Sequence, residues 1–395
     1  MTDESLLLTF NAGSSTVKIG FFEMRAGGAR RLAKGDIDFH ETPLRFRFVR
    51  GSASLDVKLK TAASDDLSGV LSESFGQIGD LLDLRRIAAV GHRVVHGGDA
   101  FDGPVRIDDR SLRAIDALTT LAPLHQPQSL RLIRAIRRLH PEILQTASFD
   151  TAFHRTNDET VRRFAIPRAL HDRGIKRYGF HGLSYKFIAG ELARRRPDAA
   201  RGKLVIAHLG SGASLCALDA GASRDTSMGF STLDGIPMAT RCGALDPGVV
   251  LHLLGAGGYA LTEVEDILYH RSGLLGVSSI SSDSRELLQS SLPAAREAVA
   301  LFAFRIAGEI ARLATSIGGV ESLVFTAGIG EHQAPVRAAV ARHLAWLGLA
   351  LDAEANRANA ELISASSSRV AAFVIPTDEE QVIADEALAV LRART

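Results

Sequence analysis

Residues 6–23 read "LLLTFNAGSSTVKIGFFE", and residues 204–221 read "LVIAHLGSGASLCALDAG". Each stretch opens on an apolar run, breaks at a cluster of small residues, and resumes as a second apolar run. That is the pattern of strand, tight turn, strand. The turns correspond as Asn11-Ala12-Gly13-Ser14-Ser15 and His208-Leu209-Gly210-Ser211-Gly212. Gly and Ser are ordinary turn residues, so neither hairpin alone says much. Two of them in one setting, about half a chain apart, predict a duplicated domain. Backbone N–H groups and hydroxyls in such turns can cup a phosphate, and Lys18 adds a point charge. A third glycine turn follows a strand in "SLVFTAGIGEH", residues 322–332. Backbone without side chains there lets a flat ring system approach closely. Together the three turns predict one nucleotide between two halves.

The rest of the chain bounds this reading. A length of 395 residues makes two domains the natural expectation. With 46% hydrophobic and 23% charged residues the composition is that of a globular protein. A formal net charge of +1 gives no global field to favour nucleic acid or acidic membranes. The two cysteines, Cys216 and Cys242, offer neither a disulfide framework nor metal spacing. Asp3 and Glu4 stand where a signal peptide wants Lys or Arg, and no stretch reaches the roughly 18 apolar residues of a membrane span. A cytoplasmic location follows as the expectation. Strand-like runs such as "RIAAVGHRVVHGG" and "ILQTASFDTAF" alternate with helical patterns such as "SLRLIRAIRRLH", which predicts an α/β fold. The arginines of that helix sit between apolar residues at helical spacing, as do Arg194-Arg195-Arg196 before Pro197, so solvated faces are expected in place of polyanion sites.

Five charged residues lie beside strand-like sequence: Arg93 in "VGHRVVHGG", His125 in "APLHQPQSL", Asp150 in "SFDTAFH", His181 in "KRYGFHGLSY" and Arg241 in "MATRCGALDPG". A lone His is more often structural, and a lone Arg in a strand usually pairs with a carboxylate. Jointly, beside phosphate-type turns, they form an inventory for phosphoryl transfer. That reaction needs donors around the equatorial oxygens, a metal site and alignment.

These segments, with "DTSMGF", "GLLGVSSISSDSRE", "FTAGIGEH" and "VIPTDEEQVIA", appear in an order and spacing that resemble the acetate kinase family over nearly the whole chain. The resemblance implies duplicated domains of the actin, sugar-kinase and heat-shock-ATPase type, with the nucleotide in the cleft between them. It implies a homodimer that interconverts acetate plus ATP with acetyl phosphate plus ADP, using Mg²⁺ or Mn²⁺. One domain is expected over residues 1–150, completed by a helix over 377–395. The other, over 151–376, would carry the second hairpin, the adenosine site and the dimer interface.

Carried over by position, the resemblance makes Asn11 and Glu379 the metal-side residues and Lys18 a nucleotide-phosphate contact. Arg93 would bind the acyl substrate, in a pocket walled by Val95, Leu124, Phe180 and Thr232. His125, His181 and Arg241 would surround the phosphoryl group, and Asp150 is the acid/base candidate. His208, Leu209, Gly210, Ser211 and Gly212 would form the nucleotide site. Asp283, Ser284 and Arg285 would join them, as would Gly328, Ile329, Gly330, Glu331 and His332. One role needs qualifying. A carboxylate near neutral pH has already lost its proton, since its pKa is about 4, so Asp150 more plausibly orients an arginine or a bound water. At the metal side, Thr377-Asp378-Glu379-Glu380 reads as a capping box in which Glu380 folds back on the cap and Glu379 is left over.

The chain departs from the family pattern at Ser211 (usually Asn), Leu183 and Tyr185 (Thr and His), Gln126 (Asn), Ala244 (an acidic or small polar residue) and Thr232 (Pro). Other readings stay open: a propionate or butyrate kinase, an actin-like or chaperone-like ATPase, or an acyl-phosphate sensor without turnover. Ser211→Asn restores an amide donor of longer reach and should tighten ATP binding by about 1 kcal/mol, the net worth of one hydrogen bond. Unchanged or weaker ATP affinity in a titration would show that backbone carries the contact instead.

Overall fold

A computed structural model describes residues 5–13, 16–62, 64 and 66–393. Ser14 and Ser15, part of the first expected turn, lie outside the described residues, as do Asp3 and Glu4. The chain divides into two compact units. One ends at Phe153 and resumes at Asp378; the other runs from His154 to Thr377.

Among the described residues the first unit carries strands β1 (Leu6–Ala12), β2 (Thr16–Arg25), β3 (Gly28–Asp38), β4 (Arg45–Arg50), β5 (Ala53–Lys58), β6 (Ile87–Val94), β7 (Val105–Arg106) and β8 (Leu144–Phe149). They form one sheet in the order β5-β4-β3-β2-β1-β6-β8-β7. β1 is buried along its whole length because both faces of the sheet are covered. Alternate side chains go to opposite faces. Leu6, Leu8 and Phe10 join Val17, Ile19 and Phe21 in one core cluster. Leu7 joins Phe22, Met24, Ala384, Ala387 and Leu388 in another.

The second unit carries β9 (Lys203–Leu209), β10 (Ala213–Asp219), β11 (Ala222–Thr226), β12 (Ser322–Thr326) and β13 (Ala371–Val374), ordered β11-β10-β9-β12-β13. In both sheets an antiparallel hairpin and a third strand lie on one side of the opening strand, with two parallel strands on the other. β3-β2-β1-β6-β8 and β11-β10-β9-β12-β13 thus share order and sense. The duplication read from the two hairpins extends to both sheets, and the fold is α/β. In the second unit the helix Pro293–Ser316 buries Ala295, Ala298, Phe302, Ala303, Ile306, Ala307, Ile310, Leu313 and Ala314, spacings of three and four that give one apolar stripe. Among the described residues no helix is long and apolar enough to cross a membrane.

The basic faces are solvated. Arg134, Arg137 and Arg138 pair with Asp116, Asp109 and Asp66, and Arg194 and Arg195 with Glu191.

The C-terminal helix, Glu379–Arg392, closes the first unit on the β1 face that carries Leu7. Its start corrects the capping box. The cap is Asp378, one residue later than Thr377, and its carboxylate accepts the backbone N–H of Gln381 at 3.0 Å. Arg31 also pairs with Asp378. Glu380 is therefore released from folding back, and it lies beside Glu379 at the site described below.

Helix and sheet approach most closely at Gly91 of β6. A Cβ there would sit 2.8 Å from Ile383 Cγ2 and 3.3 Å from Ala387 Cβ. Gly91→Ala should push the C-terminal helix outward and destabilise the protein by about 1–3 kcal/mol, the usual cost of overpacking. Urea denaturation measures this, and an unchanged midpoint would mean that the helix yields freely.

Candidate active site

The first unit gathers its charged residues at the C-terminal ends of its central strands. β1 ends at Asn11 and Ala12, β6 carries Arg93, and β8 leads into Asp150, whose N–H extends the ladder to the Val94 carbonyl at 3.1 Å. Arg93 Nε donates to both carboxylate oxygens of Asp150 at 3.0 and 3.1 Å, and Nη2 donates to Oδ2 at 2.6 Å. Nη1 donates to Asn11 Oδ1 at 3.0 Å and to the Ala12 carbonyl at 3.2 Å. The Asp150 side chain is 1% exposed and that of Arg93 14%. Burial works against the guanidinium charge, but Asp150, Glu379 and Glu380 more than offset it and raise its pKa.

Asn11 then reaches the helix start. Its Nδ2 donates to Glu379 Oε2 at 2.7 Å and to Glu380 Oε1 at 2.8 Å. The amide oxygen is taken by Arg93, so Glu379 and Glu380 supply the carboxylate oxygens here. Glu380 was missed in the sequence. Lys18 is directly opposite Asn11 in the β1–β2 register, on the same sheet face, and is exposed.

His125 precedes the helix Gln126–Leu139 and is half-buried. Its neighbour Gln126 is wholly buried and locks a second loop in place. Gln126 Oε1 accepts the His96 N–H at 3.1 Å, and Nε2 donates to the carbonyls of His96 and Ile115 at 3.0 and 3.1 Å. The Gln126 side chain thus has a definite structural use. Burial holds His96 neutral, its pKa pushed down to about 4. Of the expected acyl walls in this unit, Val95 is buried while Leu124 is 44% exposed.

The second unit brings together His181, His208, the hairpin Gly210–Gly212 and Arg241. His181 precedes the helix Gly182–Arg195 in the left-handed region, φ 55°. A non-glycine residue held there stores roughly 1–3 kcal/mol of strain. The loop before it is fixed by His154, whose Nε2 lies 2.9 Å from the Phe180 carbonyl and whose Nδ1 lies 2.9 Å from Ser223 Oγ. Burial pushes the His154 pKa down to about 4. The sequence segment "FDTAFH" contains this His, but nothing in its spacing marked it.

The His181 ring stacks on His208 with centroids 4.3 Å apart and planes 19° apart. A Cβ built on Gly212 would lie 3.5 Å from His181 Nε2 and 3.7 Å from Arg241 Nη1. Two side-chain nitrogens therefore border the same small space beside a glycine. The loop carrying Arg241 is pinned by backbone bonds from Ala239 to Ser211 and from Ser272 to Thr240. Arg241 Nη1 also donates to the Thr232 carbonyl at 3.3 Å. Phe180 and Thr232, the other expected acyl walls, are both buried.

The remaining nucleotide candidates divide between open and structural positions. "AGIGEH" is a short helix, Ala327–His332, and not the open turn expected. A Cβ on Gly328 would meet nothing within 4 Å, whereas one on Gly330 would lie 3.3 Å from the Phe325 backbone. Glu331 turns inward: its Oε1 accepts the N–H groups of Ala327 at 2.8 Å and Thr377 at 3.2 Å. Ser284 accepts Gln333 Nε2 at 2.6 Å, tying the two segments together. Asp283 caps the helix Ser284–Gln289 and pairs with Arg285, which lowers the Asp283 pKa. Ile329 is buried, His332 exposed, and Leu209 fully buried in β9.

The Arg93–Asp150 pair makes a stability prediction. Arg93→Ala leaves a buried carboxylate uncompensated and should cost about 3–5 kcal/mol. Removing both side chains should cost less than the two single losses summed. Urea denaturation of the two single variants and the double one measures the coupling, and additive losses would mean the pair is energetically independent.

The chain is similar to known proteins throughout. Residues 6–385 match the Acetokinase family. An acetate kinase of Rhodopseudomonas palustris (strain TIE-1) is 47% identical over 387 residues, 96% of each chain. Among solved structures, a propionate kinase from Francisella tularensis subsp. tularensis SCHU S4 superposes with a TM-score of 0.91 at 34% identity, over 98% of this chain and 100% of that one. The acetate kinase of Porphyromonas gingivalis gives a TM-score of 0.88 at 32% identity, with the same coverage. With fold and sequence agreeing over nearly its whole length, this chain belongs to the acetokinase family.

Proposed function

We propose that the protein is an acetate kinase that moves the γ-phosphoryl group of ATP directly onto acetate, and back from acetyl phosphate to ADP. The observation that carries this reading is the pair of side-chain nitrogens, His181 Nε2 and Arg241 Nη1, bordering one space beside the Gly210–Gly212 hairpin. Phosphoryl transfer needs little covalent help from the protein; it needs alignment and charge stabilisation. Acetate arrives as the anion and requires no general base. The main barrier is bringing two anions together.

Arg93 holds the acyl anion, and Asp150 acts on it indirectly by fixing the guanidinium through paired hydrogen bonds. His125, His181 and Arg241 offer donors to the oxygens of the group in transfer. Lys18, the Gly210–Gly212 hairpin, Asp283–Arg285 and the open Gly328 side of the short helix hold the nucleotide. Glu379 and Glu380 would hold Mg²⁺, with Asn11 clamping both, and the ion would neutralise phosphate charge there. Two adjacent carboxylates suit a hard cation that takes its remaining oxygens from water and phosphate. A homodimer is supported by the helix Pro247–Leu254, which buries no residue and exposes Val249, Leu251 and Leu254. We place the enzyme in the cytoplasm, where ATP is its co-substrate and the Cys216 and Cys242 thiols stay free.

The likeness to a propionate kinase favours a second reading, in which chain length is the variable. One methylene shifts discrimination by only about 1–3 kcal/mol. Acetate should be preferred by kcat/KM, propionate used measurably and butyrate poorly. Trapping the acyl phosphate with hydroxylamine in the presence of ATP and Mg²⁺ tests both readings. Arg241→Ala should lower kcat by about 10²–10³, the usual cost of one transition-state donor, and change the KM for acetate far less. Near-normal turnover in that folded variant would remove Arg241 from the mechanism. A tenfold preference for propionate would make the chain a propionate kinase.

A further inference from the structure

The two stacked imidazoles are each held from behind by a hydroxyl, and both hydroxyl sets lead to the first turn of the helix Gly182–Arg195. His181 Nδ1 lies 2.7 Å from Ser214 Oγ, and the Tyr185 hydroxyl lies 2.5 Å from the same oxygen. His208 Nδ1 lies 2.8 Å from Ser184 Oγ, itself 2.9 Å from Thr377 Oγ1. Tyr185, Ser214 and Ser184 are all 0% exposed. Tyr185 also meets the His154 ring edge-on at 5.7 Å, so its own ring is fixed.

We infer that Tyr185, acting through Ser214, is a positioning residue for His181: it fixes the imidazole by its Nδ1 so that Nε2 faces the space beside Gly212. This rests on the reading of His181 as a transition-state donor. An imidazole has two nitrogens, and a partner on one decides which way the other points. Here the need is acute. His181 sits in a strained left-handed conformation at a helix start, where its backbone alone does not determine the ring. Stacking on His208 fixes the plane of the ring but leaves open the half-turn about Cβ–Cγ that swaps Nδ1 with Cδ2 and Nε2 with Cε1. The Ser214 oxygen removes that freedom. Ser214 is a β10 residue paired in register with His208 of β9, so one strand pair carries both the anchor and the stacking partner. The Tyr185 hydroxyl reaches Ser214 from a side chain that is otherwise core.

The test uses steady-state kinetics of the full-length enzyme with acetate, ATP and Mg²⁺. Tyr185→Phe should lower kcat by about five- to tenfold, the loss expected from one hydrogen bond, with both KM values near wild type. Ser214→Ala should lower it at least as much. The double variant should be no worse than Ser214→Ala, because both act along one path. Two results would overturn the inference: wild-type kcat in Tyr185→Phe, or independent losses in the double variant. His181→Ala separates this from the underlying reading. If that variant keeps its turnover, the donor role of His181 is wrong. If it loses turnover while Tyr185→Phe does not, only the role of Tyr185 falls.

Discussion

The buried pair between Arg93 and Asp150 organises the first unit. In isolation such a pair adds little net stability, because desolvating two charges cancels most of their attraction. Its consequence is positional. A guanidinium with Nε and Nη2 on one carboxylate cannot rotate, and its remaining nitrogen then fixes Asn11. Asn11 in turn sets the distance to two carboxylates on the C-terminal helix. Three strands and a helix are thus locked to one another by side chains that also carry the charge of the site. A loss of rigidity at any link would be felt at the others.

The second unit holds its candidate donors differently. Hydroxyls, imidazoles and backbone carbonyls do there what carboxylates and a guanidinium do in the first unit. The difference fits the chemistry proposed for each. A carboxylate placed near His181 and Arg241 would compete with an incoming phosphate for their donors, whereas a serine hydroxyl orients without opposing. The inward turn of Glu331 is consistent with this: its charge is engaged by backbone N–H groups of Ala327 and Thr377.

Much of this was legible in the sequence because of periodicity and repetition. The uninterrupted apolar run of β1 and the parallel plan of the two hairpins depend only on local pattern, and they pointed to the duplication that both sheets share. The misreadings have local causes too. Thr377 and Asp378 are both good helix caps, but Arg31 of β3 pairs with Asp378 while the Thr377 hydroxyl is engaged by Ser184. That one-residue shift changed the fate of Glu380. "AGIGEH" reads as a turn because glycines disfavour helix, yet the anchoring of Ala327 N–H by Glu331 closes a helical turn over it. His154, Ser184 and Ser214 were invisible for a different reason. Each acts by touching a residue far away in the chain, and a lone polar residue in an apolar segment carries no mark of its partner.

The C-terminal helix has a consequence for synthesis. Asn11 and Glu379 are 368 residues apart in the chain, yet they meet within one unit. While the ribosome is still making the intervening unit, the sheet of the first already exists in sequence but lacks the cover for Leu7, Phe22 and Met24. That bare apolar face is a target for chaperones and proteases for most of the time translation takes. Its masking coincides with arrival of the two carboxylates. A nascent chain therefore acquires its finished surface and its full set of charged groups in the same late event, and a chain that stops early acquires neither.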